Sequence, residues 1–256
     1  EGCQNKFKEN LGEILNMIVP FADSENQRLK WATASALGWL CTEFEPQIQN
    51  EYHSVIVPSL LKIVNISNLE RVKAHGAKAL VNYSKGLLLD EVSDVSQPLT
   101  QYAPLLLQSL AKLLEEAVSK STFNVIEEVL KAISTTATAM ESEFAPYYGE
   151  FMQALKTFAS ITADTTQKQE LRANCIKCIG HLIESVSSSP QQYIEDARQI
   201  LRNLLSLKES IDSEDPSSLA INEVAPQFSM LLKQEFSEFL GSFVPELLQK
   251  ASLQID

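Results

Sequence analysis

Cys175 and Cys178 have the spacing in this chain that most resembles a reactive site. Two cysteines three positions apart form half of many zinc sites and also occur in thiol–disulfide motifs. On a helix, that spacing places both sulfur atoms on one face, in positions that core residues otherwise fill. No second cysteine pair or neighbouring histidine in the sequence completes a tetrahedral site. We therefore predict two buried thiols and no metal.

The other titratable residues do not form a catalytic motif in the sequence. The three histidines lie far apart, at His53, His75 and His181, and the sequence has no glycine-rich phosphate loop. The adjacent glutamates at 115–116 and 127–128 would need perturbed pKa values and convergence on one site to act as acid and base. We predict that the chain is not an enzyme and uses no cofactor.

The helical segments that position these residues recur along the chain. Segment 52–61 returns at 239–248, which is 187 residues later, and segment 37–40 (Leu-Gly-Trp-Leu) returns at 179–182 (Ile-Gly-His-Leu) after 142 residues. Divided over four and three repeats, both offsets give about 47 residues, near the length of HEAT and armadillo units. The sequence therefore predicts an all-α fold, a HEAT-repeat α-solenoid in which antiparallel helix pairs form a superhelical arc.

Turn signals divide this solenoid into about five to six repeats. We place the repeats at residues 1–45, 46–98, 99–143, 144–189 and 190–237, with a partial repeat at 238–256. The polar stretch 90–98 is typical of a longer loop between repeats. Pro226 predicts a kink in the second helix of the fifth repeat.

Charge and composition limit the kinds of partner. The formal net charge is −12, which disfavours nucleic acid and suits basic proteins or peptides. The sequence has no apolar run long enough to cross a membrane. Four cysteines without a framework spacing indicate a reducing compartment. Because the chain starts at Glu1 without a methionine, we expect it to be a piece of a longer protein.

The second helix of the first repeat is predicted over about 27–44, with Asp23 or Ser24 as its N-cap. Gly38 lies inside this helix, which indicates close packing against a neighbour. Trp31, Ser35 and Thr42 are predicted on the face away from the core, with Trp39 nearer the core edge. The predicted core stripe is Leu29, Ala32, Ala36, Leu37 and Leu40.

The ordered series of motifs resembles the importin-beta (karyopherin-beta) nuclear transport receptors over essentially the whole chain. The segments that carry the resemblance are 28–40, 71–80 (Arg-Val-Lys-Ala-His-Gly-Ala-Lys-Ala-Leu) and 145–156, the last being most similar to the importin beta-3 subgroup. An acidic connection at 209–215 also matches that subgroup.

The resemblance implies a receptor that carries basic cargo, or its nuclear localisation signal, and releases it to Ran-GTP. It further implies that Phe-Gly nucleoporins bind the outer helices and that the receptor moves between cytoplasm and nucleus through the nuclear pore. In the family, the second helix of each repeat lines the concave surface. The amino-terminal repeats, which form the principal Ran-binding region, are not part of this segment.

Helical geometry and this resemblance together select a set of candidate cargo-binding residues. An exposed tryptophan can cover a lysine stem, an asparagine can clamp a peptide backbone, and a glutamate can pair with a basic side chain. Each has a purely structural alternative, such as packing between repeats for the tryptophan or simple solvation for the others. On the face that includes Lys78, the candidates are Trp31, Ser35, Asn82, Glu127, Glu128 and, more weakly, Glu184.

Two other functions compete with transport. One is a structural HEAT scaffold for a multiprotein complex, of the kind that organises a phosphatase, although such repeats are shorter and more uniform. The other is a HEAT-like enzyme acting on nucleic acid, which would need a basic groove. The net charge of −12 argues against that second alternative.

Overall fold

The computed structural model describes residues 4–88 and 97–253 and consists of α-helices joined by turns and short 3₁₀ helices. No β-strand occurs within these two ranges, which agrees with the predicted all-α class. No helix in the described part of the chain combines the length and the apolar character that a membrane span needs. Of the predicted loop at 90–98, residues 90–96 lie outside the described residues.

The chain forms two compact units, residues 1–143 and 144–256, and each is described by itself. The helices of the first unit, in chain order, are α1 (Gln4–Glu9), α2 (Leu11–Ile18), α3 (Gln27–Glu43), α4 (Gln47–Glu51), α5 (His53–Ile66), α6 (Glu70–Leu87), α7 (Gln97–Thr100), α8 (Ala103–Ser119) and α9 (Phe123–Met140).

Helix α6 is the centre of the first unit, since it packs against both α3 and α9. Helix α5 packs on α6 and α8 packs on α9, which gives the pairs expected of helical repeats. The buried side chains of Ala34 on α3, Ile63 on α5 and Val72 on α6 belong to one apolar cluster. The second helices α3, α6 and α9 therefore lie side by side.

The start of α3 corrects the predicted cap. The side chain of Asn26 accepts a hydrogen bond from the backbone N–H of Arg28 at 2.9 Å, so Asn26 is the N-cap. Ser24 instead accepts a hydrogen bond from the N–H of Asn26 at 3.1 Å, and Asp23 pairs with Lys62. Asp23 and Ser24 lie too far from the first helical turn because the 3₁₀ segment Val19–Asp23 extends the preceding element.

The predicted core stripe of α3 is right at Leu37, which is buried, but wrong at Leu29 and Ala32, which are exposed. Leu29 is 39% exposed and Trp39 is 68% exposed. Helix α3 contacts α4, α5, α6 and the turn before it, so its buried face is broad and includes polar residues. Lys30 buries its stem and brings its ammonium within 3.4 Å of the carbonyl oxygen of Ile66. The buried residues of α3 are Lys30, Thr33, Ala34, Leu37, Gly38 and Cys41.

The second unit continues the helical pattern. Its helices are α10 (Ala145–Ala159), α11 (Thr166–Ser185), α12 (Ile194–Ser210), α13 (Pro216–Glu223), α14 (Ala225–Leu232) and α15 (Leu240–Leu253). Helix α11 packs against α10, α13 and α14. The helix predicted around Pro226 is broken at Val224 into α13 and α14, which confirms the kink.

A buried ion pair joins α11 to the turn before α13. The guanidinium Nη2 of Arg172 donates to Oδ2 of Asp215 at 2.5 Å, and its Nε donates to Oγ of Ser217 at 2.9 Å. Both charged side chains are at most 5% exposed. The other oxygen of Asp215 caps α13 by accepting from the N–H of Ser217 at 2.8 Å. Asp215, predicted as part of an acidic connection, is thus a structural residue.

Candidate functional site

Five of the six candidate residues lie on the second helices of the first unit. Trp31 and Ser35 are on α3, Asn82 is on α6, and Glu127 and Glu128 are on α9. Because α6 contacts both other helices, these residues belong to neighbouring helices of one packed layer. We call this set the second-helix face.

The sixth candidate, Glu184, lies in the second unit near the end of α11. Its side chain is 35% exposed, and Oε2 lies 3.8 Å from Nδ1 of His181. Burial lowers the pKa of His181, while the charge of Glu184 acts in the opposite direction. The structure therefore pairs Glu184 with a histidine of its own helix and leaves its role in binding a prediction.

Trp31 lies at the edge of the second-helix face rather than inside it. Its side chain is 42% exposed, and its ring meets that of His75 edge-on, with centroids 5.0 Å apart and planes at 80°. Burial lowers the pKa of His75, and Lys78 lowers it further, while Glu128 opposes both. His75 thus fixes one side of Trp31 and leaves much of the ring open to a ligand.

A groove between α3 and α6 adjoins Trp31. It encloses about 350 Å³. The two helices come close beneath it, since a Cβ atom added to Gly38 would lie 3.2 Å from both Cα and Cβ of Ala79. This confirms the predicted role of Gly38 in close packing. The lining residues are Ala34, Ser35, Gly38, Trp39 and Thr42 from α3, and His75, Lys78, Ala79 and Asn82 from α6.

Asn82 makes a structural contact on the wall of this groove. Its Nδ2 donates to the carbonyl oxygen of Gly38 at 3.1 Å, and Oγ1 of Thr42 lies 3.4 Å from the same oxygen. One amide N–H of Asn82 is therefore already used within the fold. Oγ of Ser35 is buried without a hydrogen-bond partner among the described residues.

Glu127 and Glu128 face away from the core, as predicted, but they share a cation. Nζ of Lys131 lies 2.7 Å from a carboxylate oxygen of Glu127 and 3.4 Å from one of Glu128. The two glutamate side chains are 48% and 23% exposed. Exposed pairs within one helix contribute only about 0.3–0.5 kcal/mol, so a stronger basic partner can replace Lys131.

Sequence reasoning missed two contributors to the second-helix face. Trp39 was assigned to the core edge, although Trp31, Ser35 and Trp39 recur every four residues, a spacing that puts them on one helix face. His75 was treated as an isolated histidine. Segment 71–80 lines up with segment 28–37 at an offset of 43 residues. This alignment held a signal, because it places neighbouring second helices in register.

The cysteine pair is buried, as predicted. Cys175 and Cys178 are 0% and 1% exposed. Burial raises the pKa of Cys175 well above its usual range, and Cys178 adds to that shift. Within residues 4–88 and 97–253, no cluster of three or more histidine, cysteine or acidic side chains has the geometry of a metal site.

Comparison with known proteins assigns the chain to a family. Residues 81–255, more than half of the chain, match the family model described as importin subunit beta-1-like, TPR repeats. The chain belongs to the importin-beta family. This confirms the family resemblance, and segment 145–156 lies within the matched residues.

The importin-beta relatives include importin subunit beta-3 of Saccharomyces cerevisiae, which is 26% identical over the whole of this chain and 22% of its own length. Kap121p in its crystal structures with Pho4p and with RanGTP is 25% identical in sequence to this chain. The two structures have TM-scores of 0.80 and 0.74 and cover 98% of this chain and 22% of theirs. The chain thus spans about a fifth of these relatives, and its fold is a HEAT-repeat solenoid. The alternative of a phosphatase-type scaffold is not favoured.

Proposed function

We propose that this chain is part of a nuclear import receptor and that its second-helix face binds basic cargo. The observation that carries the proposal is the placement of Trp31 on α3 and of Glu127 and Glu128 on α9, the two second helices that flank α6, in an importin-beta family member. The relatives support it, since Kap121p has been crystallised with Pho4p and with RanGTP.

The cargo segment is an extended chain rich in lysine or arginine. Its basic side chain takes the place of Lys131 beside Glu127 and Glu128 and forms charge-assisted hydrogen bonds with them. The exposed part of Trp31 covers the aliphatic stem of a neighbouring lysine, for about 0.5–2 kcal/mol. The net charge of −12 attracts such a segment over a distance that falls as salt is added.

The longer receptor supplies the remaining steps of transport. Ran-GTP releases the cargo in the nucleus, and Phe-Gly nucleoporins bind the outer helices during passage through the pore. The receptor therefore works in the cytoplasm, in the nucleus and at the nuclear pore. It acts by binding alone, without catalysis, cofactor, nucleic acid or membrane insertion.

Charge reversal at the glutamate pair tests the proposal. The Glu127→Lys/Glu128→Lys variant should bind a fluorescein-labelled lysine-rich peptide at least about tenfold more weakly, equivalent to about 1.4 kcal/mol. The matched control is Glu209→Lys/Glu214→Lys, which changes the net charge equally at exposed positions of the second unit. Asp215 is unsuitable as a control because it is paired with buried Arg172.

Fluorescence anisotropy at two salt concentrations measures the result. The proposal requires a larger loss for the α9 variant than for the control, and weaker binding by the wild type at higher salt. Equal losses in both variants would reduce the effect to net charge and remove the second-helix face as the cargo site.

A further inference from the structure

The residues that line the groove between α3 and α6 differ in charge from this acidic chain as a whole, although Glu128 of α9 acts electrostatically on the lining residue His75. Among the lining residues none is acidic, and Lys78 supplies a full positive charge. Lys78 is exposed and takes part in no ion pair within the described residues. By contrast, Lys73 of the same helix pairs with Glu116, and Lys131 pairs with Glu127 and Glu128. A basic cargo side chain would meet repulsion from Lys78 in this groove.

Ser35 and Trp39 line the same groove as Lys78. Oγ of Ser35 is buried without a partner, although a hydroxyl carries one donor hydrogen. A buried donor without a partner is unfavourable, so a hydrogen bond from Ser35 to a ligand oxygen recovers part of that cost. Trp39 is 68% exposed and provides an apolar wall for an aliphatic stem.

We propose that this groove binds a side-chain carboxylate of the docked cargo segment, held by Lys78 and Ser35 with its stem against Trp39. The inference rests on the proposed cargo function and makes it more specific. The preferred cargo is then a mixed-charge segment, with an acidic residue at the α3–α6 groove and a basic residue at Glu127 and Glu128.

Helix packing sets the spacing of the two charged residues. Packed helices lie about 8–10 Å apart, and an extended peptide advances about 3.3 Å per residue. Because α6 lies between the groove and α9, the distance from the groove to the exposed side of α9 is about one to one and a half times the distance between packed helix axes. The acidic and basic residues should therefore be separated by about three to four positions.

Matched peptides test the carboxylate directly. Each labelled peptide has one pair of lysines in a Gly/Ser background and a glutamate three or four positions away, on either side. The control peptide has glutamine in place of the glutamate. For the wild type, the better-placed glutamate peptide should bind about fivefold more tightly than its glutamine control, the upper end for a partly exposed ion pair.

Variants of α6 assign the effect to Lys78. The glutamate preference should disappear in Lys78→Gln and reverse in Lys78→Glu, whereas Lys85→Glu should retain it. Lys85 is the matched control because it is an exposed lysine of the same helix outside the groove. A thermal melt of each variant checks that the exposed substitutions leave the fold intact.

The outcomes separate this inference from the proposed function. If glutamate and glutamine peptides bind the wild type equally, or if Lys78→Gln keeps the preference, the carboxylate site is overturned while cargo binding stands. If the preference depends on Lys78 but Glu127→Lys/Glu128→Lys binds as well as the wild type, the carboxylate site stands and the proposed basic site is wrong. Failure of every peptide to bind would overturn both.

Discussion

Asn82 donates a hydrogen bond from Nδ2 to the backbone carbonyl oxygen of Gly38, 44 positions earlier in the chain, at 3.1 Å. The bond joins α6 to α3 where a side chain at position 38 would contact Ala79. The residue that was predicted to hold a peptide therefore also holds two second helices together, on the wall of the α3–α6 groove.

Removing this amide should destabilise the first unit. Asn82→Ala should lower the free energy of unfolding by about 1 kcal/mol, the usual net value of one intramolecular hydrogen bond. Urea denaturation followed by circular dichroism measures it. Asn203→Ala is the control, since the side chain of Asn203 accepts a hydrogen bond from Gln199 of its own helix on the exposed surface of α12. This control should change stability by a few tenths of that amount. Equal losses of unfolding free energy in Asn82→Ala and Asn203→Ala would show that the bond between α6 and α3 adds no measurable stability.

Two glycines of the second unit should respond to alanine with opposite signs. A Cβ atom at Gly180 would lie 2.6 Å from Cγ1 and 2.9 Å from Cβ of Val224, so Gly180→Ala should destabilise by about 1–3 kcal/mol. A Cβ atom added at Gly149 would meet no neighbouring atom within 4 Å outside its own helical turn. Gly149→Ala should therefore raise the free energy of unfolding by about 0.5–1 kcal/mol, because alanine favours the helix. Thermal melts of both variants check the pair, and a stabilising Gly180→Ala would contradict the contact with Val224.

The buried ion pair between Arg172 and Asp215 should be costly to break from one side. Arg172→Leu leaves the carboxylate of Asp215 buried without its cation and should cost about 3–5 kcal/mol. The double variant Arg172→Leu/Asp215→Asn should recover a substantial part of that loss, because it buries no isolated charge. Denaturant titration measures the free energy of unfolding of both variants. A double variant less stable than the single one would be inconsistent with an uncompensated charge.

Much of the architecture was predictable because it depends on local signals. The second helix predicted at 27–44 occurs at Gln27–Glu43, and the break expected near Pro226 occurs at Val224. Glu127 and Glu128 were correctly placed outside the core because apolar residues surround them in the sequence. Each of these features depends on helix periodicity or on the missing N–H of a proline.

The errors arose where tertiary contacts decide burial. Leu29 was predicted as core but is exposed, whereas Lys30 and Thr33 are buried because α3 has neighbours on several sides. The α3–α6 groove depends on bringing Ser35 and Lys78 together across 43 positions, which periodicity within one helix cannot predict. In the sequence, the alignment of one repeat on the next was the signal that Ser35 and Lys78 lie near each other.

The three buried cysteines should react slowly in the native protein. Burial raises the pKa of Cys41 to about 12, and the charge of Glu45 adds to the effect. In a Cys3→Ser background, the free cysteines of the described chain are Cys41, Cys175 and Cys178, and all three are buried. At pH 8 they should resist a disulfide reagent in buffer and react fully in denaturant. Rapid reaction of any of them in buffer would show that α3 or α11 opens readily.

The histidine beside Trp31 should remain neutral at physiological pH. Burial and Lys78 of its own helix lower the pKa of His75, and Glu128 of α9 only partly opposes them. The pKa of this imidazole is therefore lower in the folded state than in the unfolded state. Because the folded state favours the neutral imidazole, His75 stabilises the fold fully at pH values above the unfolded pKa of about 6.5. That contribution is lost as pH falls through the unfolded value towards the folded one.

An NMR titration of the imidazole resonances measures this shift. The resonance absent from His75→Gln identifies His75, and its midpoint should lie below 6.5. The same variant should lose less stability than the wild type between pH 7.5 and pH 5.5. A midpoint above 6.5 would show that Glu128 outweighs both burial and Lys78.

The polar bonds between neighbouring repeats have a consequence for biosynthesis. The bonds Asn82–Gly38 and Arg172–Asp215 span 44 and 43 residues, and the ion pair of Lys73 with Glu116 also spans 43. The entropy cost of loop closure is smaller for these separations than for contacts across the whole chain, and folding rates rise as contacts become more local. Each repeat can therefore dock as soon as the next one leaves the ribosome. A nascent chain of this kind exposes a single unfinished helix layer at a time, instead of waiting for its last residue to close the fold.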